Sequence, residues 1–83
     1  MEKKINIFWT DRAKSDLREL YDFLKLEIEE EKAFSIIHTI YYRTTQLRAF
    51  QELGRLEPYL LHLKRPYKKL IEGHYKIIYR IHN

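Results

Sequence analysis

The chain has 83 residues, no cysteine, and sixteen Lys/Arg against twelve Asp/Glu, which gives a formal charge of +4 with the histidines neutral. That length supports one domain, residues 1–83, with one small core, and leaves no room for a nucleotide-binding sandwich joined to a second substrate domain. An apolar fraction of 45% beside 34% charged residues is a globular mix, and no apolar run approaches the roughly eighteen residues that a bilayer crossing needs.

Asn6, Thr10 and Asp11 break up the N-terminus before a signal-peptide core could form. The absence of cysteine excludes a disulfide framework and thiolate metal sites and fits a reducing compartment, so the expected location is cytoplasmic. Charge is unevenly spread: residues 1–42 carry seven basic and nine acidic side chains, and residues 43–83 carry nine basic and three acidic. The C-terminal half is the electropositive half, suited to nucleic acid, a ribosome or an acidic protein segment.

Ile5, Ile7 and Trp9 alternate with Lys4, Asn6 and Phe8, a pattern that predicts a short N-terminal strand. Phe8 and Trp9 are then placed to seal a sheet against helices. Thr10 or Asp11 offers a helix cap, and Ala13, Leu17, Leu20, Tyr21, Leu24 and Ile28 form one stripe of an amphipathic helix. The acidic run of Glu27, Glu29, Glu30 and Glu31 marks an exposed junction. A second helix begins near Glu30 or Glu31, carries Ala33, Ile37, Ile40, Tyr41, Thr44 and Leu47 at helical spacing with Phe34 and Ile36 widening the apolar sector, and ends before or around Leu53. The two segments read as a helical hairpin.

Gly54 and Pro58 punctuate the next stretch, and Tyr59, Leu60, Leu61 and Leu63 fit either a short strand or a turn of helix. Tyr67–Ile71 and His74–His82 give a β-hairpin signal around Glu72 and Gly73, with Tyr75, Ile77, Tyr79 and Ile81 on one face and Lys76, Ile78, Arg80 and His82 on the other. The expected class is α+β: an N-terminal strand, a helical hairpin, then a small antiparallel sheet covered on one side by the helices. Leu17 and Ile77 are expected in the core.

The histidines at 38, 62, 74 and 82 have no metal-ligand spacing, and two glycines cannot build a phosphate loop, so neither a metal nor a cofactor is expected. Serine nucleophile motifs and paired carboxylates are likewise lacking in the pattern; Glu57 and Glu72 stand nearly alone in the second half. Any catalysis would rest on Lys, Arg, His and Tyr, residues suited to phosphodiester cleavage. The candidates are His62, Lys64, Arg65, Lys68, Lys69, His74, Lys76, Arg80 and His82 with interleaved tyrosines, together with Arg55, for which the packing pattern gives no structural reason.

Ile7–Leu17, Phe50–Arg55 and Tyr67–Ile81, the last containing Tyr75-Lys76-Ile77-Ile78-Tyr79-Arg80-Ile81, resemble the ParE/RelE toxin superfamily along nearly the whole chain. The resemblance implies the toxin of a type II toxin–antitoxin pair, neutralised by a small cognate antitoxin that wraps its surface. RelE-like members cut messenger RNA on the ribosome, and ParE-like members block DNA gyrase. The Trp9-Thr10-x-x-Ala13 opening and the Gly54-Arg55 loop look more like the gyrase-directed branch.

On that branch the expected target-binding residues are Arg55, Lys64, Arg65, Lys69 and Lys76; on the ribonuclease branch Lys64, Arg65, Lys68, Arg80 and His82 are the catalytic candidates. Lys68 stands where the family commonly shows arginine, and it lacks the bidentate fork. Family members usually continue into another strand with a basic tail, whereas this sequence stops at His82-Asn83. The expectation is therefore a shortened toxin, with or without activity, or a domain completed at the edge of its last strand by an antitoxin strand or by a second copy in a homodimer.

Overall fold

The computed structural model describes residues 6–81. Asn6–Thr10 lead into α1, Asp11–Glu27, whose first turn is fixed by Thr10: its Oγ1 accepts the Ala13 amide at 3.0 Å, and Asp11 lies at the positive end of the helix. The helix ends at Glu27, where the Ile28 amide still reaches the Leu24 carbonyl at 2.8 Å. After a tight junction at Ile28 and Glu29, α2 runs Glu30–Thr45 and tightens into a 3-10 turn over Gln46–Arg48.

Three short strands follow: β1 Arg55–Leu56, β2 Lys68–Glu72 and β3 Tyr75–Tyr79. They form one antiparallel sheet in the order β1-β2-β3, with Arg55 opposite Lys69 and Lys69 opposite Ile78. Between β2 and β3 the chain reverses through Gly73 and His74; Gly73 takes φ +60°, a backbone conformation glycine adopts at no steric cost, as a two-residue hairpin with glycine first requires.

α2 touches both α1 and β2, so it is the middle layer. Its buried stripe of Ala33, Ile40, Thr44 and Leu47 meets Leu24 of α1 and Leu70 of β2, the small core of the described residues. The Arg43 side chain fastens the helix to the end of β2 through Glu72 at 3.3 Å.

Several expectations change. Residues 6–10 pair with no strand among the described residues, and residues 1–5 of the expected N-terminal strand lie outside them. Alternation persists there as facing alone: Ile7 and Trp9 turn inward, with Trp9 stacked on Tyr41 at 6.2 Å, while Phe8 is 87% exposed and seals nothing. The second helix ends at Thr45, before Leu53 as expected, with its last turn tightened over Gln46–Arg48. The ambiguous Tyr59–Leu63 run is a 3-10 turn, Pro58–Leu60, followed by turns. Arg55 lies in a strand, though two residues are too few to leave a periodic signature. Leu17 and Ile77 are half-buried. β3 ends at Tyr79 and is an edge of the described sheet.

Candidate target-binding site

Alternation in the strands divides the sheet into two faces. Leu70 and Ile77 pair on the face toward α2, as do Lys68 and Tyr79, whereas Arg55, Lys69 and Ile78 form one cross-strand row on the outer face and Ile71 and Lys76 form the next. Ile71 and Ile78 remain about half exposed between these cations.

Two like charges directly opposite, Arg55 and Lys69, are unfavourable in a sheet that serves packing alone. Glu57 offsets this pair. Its backbone amide bonds the Tyr67 carbonyl at 2.9 Å, which carries the chain past β1 and folds the Glu57 side chain under the outer face. The carboxylate is 2% exposed; Oε1 accepts from Lys76 Nζ at 3.0 Å, and Oε2 lies 3.6 Å from Lys69 Nζ, an ion pair beyond hydrogen-bonding reach. The Lys76 hydrogen bond, opposed in part by burial and reinforced by the charges of Lys76 and Lys69 and the Tyr59 amide, holds the Glu57 carboxyl below its ordinary value of 4.5. Lys76 is further held over the Tyr59 ring, 5.3 Å from its centroid.

Next to this cluster lies a shallow concavity of about 190 Å³ lined by Leu53, Gly54, Arg55, Lys69, Leu70 and Ile71. Its shape depends on Gly54, since a Cβ there would lie 2.5 Å from the Lys69 carbonyl oxygen and 2.7 Å from Tyr79 Cε1. Tyr79 closes the approach: its hydroxyl accepts the Gly54 amide at 2.9 Å and donates to the Gln51 carbonyl at 2.8 Å.

Three expected contact residues, Arg55, Lys69 and Lys76, thus share one face. Lys64 and Arg65 are exposed in the turns before Pro66. Among the described residues, the side chains of Arg55, Lys64 and Arg65 form no ion pair or hydrogen bond. Lys68 is separated from this group: it faces the other side of the sheet, 2.8 Å from Glu52, and that hydrogen bond raises its pKa. Arg80 is half-buried and engaged just beyond β3, and His82 lies outside the described residues.

Sequence reasoning missed Glu57 as part of the site. Three acids among the nine cations of residues 43–83 were the available signal, but the burial of Glu57 depends on the turn at Pro58. Among the described residues, no group of three His, Asp or Glu side chains is placed to hold a metal, and no helix is long and apolar enough to cross a membrane.

No curated protein and no solved structure matches the chain significantly. The family profile described as the ParE toxin of the type II toxin–antitoxin system parDE matches residues 7–83. The match takes in both helices and the whole sheet with its outer cationic face, and on it the chain belongs to the ParE toxin family.

Proposed function

We propose that the chain is the toxin of a type II toxin–antitoxin pair that inhibits DNA gyrase by binding it through the outer face of the sheet, and that a cognate antitoxin neutralises it. The observation that carries this reading is the opposition of Arg55 and Lys69 on an open face, with Glu57 holding Lys69 and Lys76 from beneath. A fixed set of cations interleaved with Ile71 and Ile78 suits an acidic and partly apolar protein surface. Glu57, kept ionised by its lysines, is a weak base and serves as their positioner.

The ribonuclease reading asks for convergence of Lys64, Arg65, Lys68 and Arg80 on one cleft. Lys68 faces away from Lys69 and is tied to Glu52, which favours binding over cleavage.

Surface plasmon resonance with immobilised gyrase and, separately, ribosomes tests the proposal. Saturable binding to gyrase that weakens at least tenfold in Arg55→Ala is the expected result. Binding to ribosomes alone would overturn it.

A further inference from the structure

We propose that the concavity beside Arg55 captures the free C-terminus of a partner chain, which adds to the open edge of β2 and places its terminal carboxylate on Arg55. This rests on the reading of the sheet as a protein-binding surface and names the element of the partner that it holds. β2 has five residues and β1 only two, so β1 covers the Lys68–Lys69 end of the β2 edge and leaves the rest open.

Hydrogen-bond parity shows what the open end offers. In an antiparallel ladder, the residue pairs that exchange both backbone bonds recur at every second position. The Glu57 amide bonds the Tyr67 carbonyl at 2.9 Å and Arg55 lies opposite Lys69, so the next such step sets residue 53 against Ile71. That step is not made, because the Leu53 amide turns back to the Phe50 carbonyl at 3.1 Å. On the other side of β2, the two-residue turn closes the hairpin at Glu72 and Tyr75, and the same alternation gives Leu70, not Ile71, the bonds to β3. The Ile71 N–H and C=O therefore point to the open edge, and among the described residues no hydrogen bond reaches them there. The concavity lies at this position, with Leu53, Gly54 and Arg55 on one side and Lys69, Leu70 and Ile71 on the other.

Size, direction and charge select the occupant. A volume of about 190 Å³ is below the roughly 300 Å³ of a small-molecule pocket and suits the end of a chain. A strand antiparallel to β2 runs toward β1, and Arg55 already occupies the following step, so a chain in this lane stops at the concavity. Its terminal carboxylate there accepts the Ile71 N–H and meets the Arg55 guanidinium, while its last amide donates to the Ile71 carbonyl. Arg55 is exposed and keeps its charge for a ligand, since Glu52, Glu57 and Glu72 are engaged by Lys68, by Lys69 and Lys76, and by Arg43. Ile71 and Leu53 are 53% and 41% exposed at the concavity, which suits an apolar last side chain. A nucleic acid brings negative charge but no backbone amide for the Ile71 carbonyl.

The test titrates the whole chain with fluorescein-labelled hexapeptides ending in Thr-Val-Leu, one as the free acid and one as the C-terminal amide, read by anisotropy and by nitrogen-15 amide spectra. The free acid should bind at least about tenfold more tightly than the amide, and Arg55→Ala should abolish the difference. The Ile71 amide should shift and its hydrogen exchange should slow. Equal affinity of acid and amide, no binding of either at about 1 mM, or shifts that spare residues 53–55 and 69–71 would overturn the proposal. So would a single-stranded hexanucleotide that shifts the same amides at lower concentration. Gyrase binding measured in parallel separates the two claims: Arg55-dependent gyrase binding without peptide binding removes the terminus site alone, and peptide binding without gyrase binding removes gyrase alone.

Discussion

The Tyr79 hydroxyl accepts the Gly54 amide at 2.9 Å and donates to the Gln51 carbonyl at 2.8 Å, so one side chain of the last strand holds the loop that shapes the edge of the candidate site. Tyr79→Phe keeps the ring and leaves the buried Gly54 amide unpartnered. A loss of about 1–3 kcal/mol in urea unfolding is expected. A loss under 0.5 kcal/mol would show that solvent replaces the clasp.

Gly54→Ala drives a Cβ to 2.5 Å from the Lys69 carbonyl oxygen, an atom fixed by strand pairing. The strand must shift, with an expected loss of about 1–3 kcal/mol. Gly73→Ala meets open space but inherits φ +60°, and an expected cost of about 1–2 kcal/mol arises from backbone strain alone. Thermal melts should show both variants destabilised, whereas surface plasmon resonance with gyrase should separate them: only Gly54→Ala disturbs the site and lowers target affinity.

Core substitutions test the middle layer. Ile40 is 5% exposed on the helix that forms the middle layer, so Ile40→Ala should cost about 2–5 kcal/mol in urea unfolding. Half-buried Ile77→Ala should cost less, about 1–2 kcal/mol. Reversal of that order would mean that β3 is packed more deeply than α2.

Glu57 makes stability sensitive to acid. Its folded pKa lies below 4.5, so the stabilisation it brings is fully present above 4.5 and is lost as pH falls through the lowered folded value. Wild type should lose more stability than Glu57→Gln between pH 5 and pH 3, measured by urea midpoints at each pH. Parallel losses in the two proteins would remove Glu57 as an acid-sensitive tie.

Much of this architecture can be read from the sequence where long-period patterns act. Thr10 followed by Ala13 and Leu17 identifies α1, and the acidic run at 27–31 locates the junction with α2. Gly73 locates the hairpin turn. Short elements escape: β1 has two residues, and it is a strand because β2 pairs with it. The alternation of Ile7, Phe8 and Trp9 reports which side chains face inward, and facing inward does not require a pairing partner. At the site, strand parity separates Lys68 from Lys69, whereas the burial of Glu57 under Lys69 and Lys76 depends on a turn that propensity does not specify.

The central claim is that the cationic outer face of the sheet engages gyrase. The most direct test incubates wild type and Arg55→Ala with gyrase, ATP and supercoiled plasmid, followed by denaturant and protease, and scores linear DNA beside a full-length family toxin. The account predicts linear product with wild type and at least about tenfold less with Arg55→Ala, whose exposed side chain holds no partner among the described residues. No linear product from the folded wild-type chain, or equal product from both proteins, would contradict it.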